Sequence, residues 1–138
     1  MIEPRPSVTR FANAVARAER AQAGAGHDSE VAQRITMRLH EELGKLVGDA
    51  GVDVLLRRSV VLARRAHPVL AGVTAGPGGT LAGLKDAALE GPELAELQDG
   101  ARAIVGHFIE LLVTLIGEDL AMGLARAVWP SAVEEEER

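Results

Sequence analysis

Apolar residues along this chain recur at steps of three and four rather than two, the spacing of helices that each bury one face. Val8, Phe11, Val15 and Ala18 predict a first helix from a cap at Ser7 to about Ala23, with Arg10, Arg17, Glu19 and Arg20 towards water. Gly24 and Gly26 end it. Asp28 or Ser29 then caps a second helix whose inward residues are Val31, Ile35, Leu39, Leu43, Leu46 and Val47. Gly48 stops that helix, and Asp49-Ala50-Gly51 reads as a link short enough to fold the next helix back as an antiparallel neighbour.

The third predicted helix runs from about Val52 to His67 and ends before Pro68, with Val52, Leu55, Leu56, Val60, Ala63 and Ala66 inward. Residues 68–79 form a loop from which Val69, Leu70 and Val73 tuck back onto the core; its Gly76-Pro77-Gly78-Gly79 run reads as a flexible link. Thr80 caps a short helix to Leu89, residues 90–92 break the chain, and Pro92 opens a long helix to Leu115 or Ile116. Gly117 followed by Glu118 and Asp119 signals a stop and a restart, since acids favour a helix N-terminus. The last helix ends at Val128.

The stretch from Ala101 to Trp129 is apolar around most of its helical circumference and calls for burial. The expected fold is therefore all-α, a single compact bundle of five to six helices around a central apolar helix, in one domain over residues 1–138 with 1–6 and 131–138 as flexible termini.

Composition narrows the functions. A net charge of −5 and only three aromatic residues, Phe11, Phe108 and Trp129, argue against nucleic acid, which needs a basic field and stacking surfaces. Without cysteine there are no disulfides, thiolates or Cys zinc sites, as befits a reducing compartment; the expected location is the cytoplasm. Arg far outnumbers Lys, which occurs only at Lys45 and Lys85, and this composition points to a bacterial source with a GC-rich genome. Neither a signal peptide nor a run of the roughly 20 apolar residues that a membrane span requires is evident.

Three groups of residues are candidates for chemistry or recognition. His107, Glu110 and Thr114 fall on one line of the central helix with Ala103, a polar stripe able to hold a small ligand or a proton, or else an edge that reaches solvent. Arg57, Arg58, Arg64 and Arg65 repeat at seven residues and form a basic stripe suited to an acidic partner or a phosphate; Trp129 marks a second candidate contact. His40 sits in the run His40-Glu41-Glu42-Leu43-Gly44-Lys45, where two adjacent carboxylates would repel an aspartyl phosphate. It reads as an ordinary exposed helical histidine rather than a phosphotransfer residue. The His-x-x-Glu spacings at His27/Glu30 and His107/Glu110 reverse the order that di-metal carboxylate bundles use, so no metal site and no cofactor is expected. Ser7, Ser29, Ser59 and Ser131 lack a nucleophile elbow, and no catalytic residues are assigned.

The resulting expectation is a non-enzymatic regulatory module that binds a protein partner through a helical surface or groove, with homo-oligomers as a further possibility. The alternatives are a small-ligand sensor or enzyme at His107 and Glu110, and a membrane-active bundle. The last follows from a resemblance: the long apolar helix beside a second apolar helix is similar to pore-forming bundles of the apoptosis-regulator type, though the Asn-Trp-Gly-Arg run that precedes their central helix is missing here.

Overall fold

The computed structural model describes residues 13–15, 17–18, 28–83 and 92–128. The class is all-α, with five helices among the described residues. Residues 13–15 and 17–18 are helical and belong to α1; they are followed by α2 (Asp28–Val47), α3 (Asp49–Ala66), α4 (Pro92–Ile116) and α5 (Glu118–Val128). Ser7, Val8, Phe11, Leu89, Trp129 and the two termini, 1–6 and 131–138, all used in the expectations above, lie outside the described residues.

The turn between α2 and α3 is tighter than expected. Gly48 alone separates them, and α3 already includes Asp49, Ala50 and Gly51. Gly48 has φ of +84° and ψ of 152°, a conformation essentially reserved for glycine that costs another residue about 1–3 kcal/mol, and so reverses the chain in one step. Its N–H donates to Gly44 O at 3.0 Å and its carbonyl accepts from Val52 N at 3.2 Å, so one carbonyl at the end of α2 and one N–H at the start of α3 are satisfied by the turn itself. Gly117 repeats the arrangement between α4 and α5: φ is +88°, its N–H donates to Val113 O and its carbonyl accepts from Ala121 N. The stop and restart read from Gly117-Glu118-Asp119 falls at that residue.

The segment between α3 and α4 differs most from expectation. Instead of a loose loop and a helix capped by Thr80, it forms a 3-10 turn at Pro68–Gly72, a strand β1 (Thr74–Ala75), a second 3-10 turn at Pro77–Gly79 and a strand β2 (Leu81–Ala82). The strands pair antiparallel, Thr74 with Ala82 and Ala75 with Leu81. Thr80 is extended, and its hydroxyl donates backwards to Pro77 O at 2.8 Å rather than capping a helix. Gly78 and Gly79, with φ of +69° and +82°, supply the two left-handed residues that turn the hairpin. Residues 84–89 of the helix expected to Leu89 lie outside the described residues; at Thr80 itself, docking of the hairpin on α2 and α3 outweighs the local preference for a helix cap.

The core gathers Val15 of α1, Ile35, Leu39 and Leu43 of α2, Val52, Leu56 and Val60 of α3, and Leu97, Ile104, Phe108 and Leu112 of α4, closed by Leu70, Val73 and Leu81 from the connecting segment. Leu70 reaches α4 because Gly100 has no side chain; a Cβ there would stand 2.9 Å from Leu70 Cγ. α4 packs against α2, α3 and α5. Its burial is not continuous, however. Leu112 is 3% exposed, whereas Leu115 is 57% exposed and Leu120 of α5 is also exposed; Ala121 is buried again, and Ile116, Met122, Leu124 and Val128 pack partly buried against the core, so the burial expected from Ala101 to Trp129 is interrupted after Leu112. Leu46, Val47 and Ala66 are likewise exposed rather than inward, each within the last turn of its helix.

Candidate functional site

Three of the four stripe arginines occupy one face of α3. Arg57, Arg58 and Arg65 are exposed, and between them lie Val54 and Val61, at 55% and 37% exposure. At about 100° per residue these five positions share about a third of the helix circumference. The result is an amphipathic strip on the outside of a helix whose other side, through Val52, Leu56, Val60 and Ala63, is fully buried. Sequence periodicity located the arginines and left Val54 and Val61 off the inward face; that no neighbouring element covers the two valines is decided by the fold.

Arg64 departs from the stripe. It is half-buried, and its Nη2 donates to Val73 O at 2.7 Å, pinning the start of the β-hairpin to α3. The seven-residue repeat could not separate it from Arg57, because the carbonyl it serves comes from a segment with no periodicity.

The polar line of α4 is graded. His107 is buried, Glu110 half-buried and Thr114 exposed, with the Thr114 hydroxyl donating to Glu110 O at 2.9 Å. The line thus leads from the core out to solvent. Among the described residues no group of three or more His, Asp or Glu side chains is placed to hold a metal ion, and no helix is long and apolar enough to cross a membrane. Trp129 lies outside the described residues.

A further cluster escaped the sequence reading. His40 is only 8% exposed, and its Nε2 stands 3.0 Å from Asp53 Oδ1 of α3, so it is not the exposed helical histidine expected. Two features of the fold put it there. The one-residue turn at Gly48 brings the first turns of α3 alongside the end of α2, and the hairpin tip presses onto α2 from the other side. A Cβ on Gly79 would stand 2.5 Å from Thr36 O, 2.8 Å from His40 Cβ and 2.9 Å from Met37 Cα, so the tip approaches as closely as glycine allows. The buried Thr36 hydroxyl donates to Gly79 O at 2.7 Å, and Gln33 Oε1 accepts from Leu81 N at 2.8 Å. The Gly76–Gly79 run is therefore a docked turn and not a flexible link.

Beside His40 an open groove of about 640 Å³ runs along α2, bordered by Arg34, Arg38, Met37, Glu41 and Asp49, with Gly78 at its rim. Arg34, Arg38 and Glu41 follow i, i+4, i+7 spacing, a signal present in the sequence. Asp49 and Gly78 join them only through the fold. Comparison of the chain with protein-family models, curated proteins and solved structures found no match.

Proposed function

We propose that the chain is a non-enzymatic interaction module of the bacterial cytoplasm, a compact helical bundle built around α4 that captures an acidic amphipathic segment of a partner protein on the outer face of α3. The observation that carries this reading is the exposure of Val54 and Val61 between Arg57, Arg58 and Arg65. An exposed arginine paired with a carboxylate contributes about 0–1 kcal/mol, so the arginines alone select a partner without holding it. Cohesion comes from the valines, each worth about 1.5–3 kcal/mol when fully covered relative to full exposure, and less here because both are already part-covered. Arginine also suits the role because its planar fork engages carboxylates in pairs. The net charge of −5 favours short-range contact over long-range steering, since the body of the protein repels the acidic segment that the strip attracts.

The test is capture from native lysate at low and moderate salt by the parent chain, by the double variant Arg57→Glu/Arg65→Glu and by Val54→Ser. The expected result is unchanged thermal melting of all three, salt-sensitive capture by the parent and loss of the captured species with either variant. An identical set of captured proteins for all three chains overturns the assignment.

A further inference from the structure

We propose that the acidic run Glu134–Glu137 of this same chain docks on the outer strip of α3 and competes there with the partner segment. The competition rests on the strip being the partner face; the docking does not.

The argument begins with which arginines are already engaged. Among the described residues, Arg17, Arg34, Arg38, Arg102 and Arg126 each have an interaction partner, and Arg64 donates to Val73 O. Arg57, Arg58 and Arg65 make no hydrogen bond or ion pair with the rest of the described chain. The arginines left over are thus gathered on one face of one helix, with the exposed Val54 and Val61 between them. Such a face calls for a segment that is rich in carboxylates and carries some apolar surface.

The chain contains such a segment. Glu134–Glu137 is its longest run of carboxylates, and Ala132 and Val133 stand immediately before it. The same face of a second copy is a poorer match. The two acids of α3 do not lie on the strip, because Asp53 is held by His40 Nε2 at 3.0 Å and Asp49 borders the groove of α2. Two strips face to face would therefore set arginine against arginine.

Connectivity makes the contact intramolecular. α4 packs against both α3 and α5, and Val128, the last residue of α5, rests on the core. Neighbouring helix axes lie about 8–10 Å apart, so α5 and α3 are within about 20 Å of each other, and the outer face of α3 is a further 5 Å or so away. The run begins six residues beyond Val128 and ends nine beyond it. In extended form that chain reaches roughly 20–30 Å. A short tether of this kind holds the run at an effective concentration in the mM range, at which surface ion pairs too weak to retain a separate peptide suffice.

The experiment uses the full chain. Because the sequence has no cysteine, Arg138→Cys provides a single attachment point for a nitroxide spin label. Paramagnetic broadening of backbone amides is then followed by NMR at about 20 mM and about 500 mM salt, where the screening length falls from roughly 20 Å to a few Å. The amides of Arg57, Arg58, Val61 and Arg65 are expected to lose about half of their intensity or more at low salt and to recover it at high salt. Arg57→Glu/Arg65→Glu, and separately glutamine at all four of Glu134–Glu137, should abolish the broadening. The same spectra report whether each variant is folded, and where the arginine variant is not, the glutamine variant supplies that arm.

Broadening that is absent from the strip, insensitive to salt or retained in the glutamine variant overturns the docking. Broadening in a mixture of labelled, unenriched chain with unlabelled, isotope-enriched chain assigns the run to a second molecule and overturns the intramolecular contact. The partner reading fails separately: it falls if capture from lysate is unaffected by Arg57→Glu/Arg65→Glu while the broadening stands, whereas capture lost without any broadening in the parent overturns the docking alone. Where the run fills the strip about half of the time, the glutamine variant should capture about twofold more partner than the parent chain. Equal capture by the two overturns the competition.

Discussion

Replacing Gly79 by alanine tests the docking of the hairpin tip, the feature on which the His40 cluster depends. Two effects add at this position. The backbone has φ of +82°, where an L side chain costs about 1–2 kcal/mol. The new Cβ would also stand 2.5 Å from Thr36 O and 2.9 Å from Met37 Cα, both backbone atoms of a packed helix that cannot swing aside. Forcing a methyl into such a site costs a further 1–3 kcal/mol or so. The expected total is about 2–5 kcal/mol.

Gly78 provides the internal control. Its φ is +69°, yet nothing lies within 4 Å of where its Cβ would be. Gly78→Ala should therefore cost only the conformational part, about 1–2 kcal/mol. Urea unfolding followed by circular dichroism separates the two: with a slope of about 1–3 kcal/mol per molar, the extra 1–3 kcal/mol or so should put the midpoint of Gly79→Ala about 0.3–3 M below that of Gly78→Ala. Equal midpoints would show that the tip does not rest on α2, and would remove the structural basis of both the buried His40 and the groove beside it.

The remaining predictions concern the hydrogen bonds of that hairpin and the extent of the core. Thr36→Val keeps the side-chain shape but leaves Gly79 O without its buried donor, and should lower stability by about 1–3 kcal/mol in the same urea assay. Leu112→Ala should cost about 2–5 kcal/mol, while Leu115→Ala, at a position 57% exposed, should cost less than about 1 kcal/mol; similar losses at both would show that burial continues along α4.

How far the sequence reached is clearest in the helices. Their boundaries at Gly48, Pro68, Pro92 and Gly117, and the inward faces through Ile35, Leu39, Leu43, Val52, Leu56 and Val60, were legible because periodicity, helix-breaking residues and acids at helix starts are local properties. The hairpin was not legible. Its strands are two residues long, too short for any alternation to register, and it exists because Thr36, Gln33 and Arg64, between 9 and 48 residues away along the chain, receive its backbone groups.

The same division runs through the sites. Sequence determined that the chain is all-α, that α3 carries an arginine repeat, and that one line of α4 is polar, since each of these depends on one helix at a time. Tertiary structure decided which arginine is spent on the hairpin, which valines stay outside, and where burial of α4 ends. It also decided that His40, read as exposed, lies against Asp53 beneath a glycine turn. The physical reason is that amphipathic periodicity tells which face of a helix is apolar, but whether that face is covered depends on the length and position of neighbouring elements. A close approach such as that of Gly79 to α2 leaves no trace in the sequence except a glycine, and many glycines make no such contact.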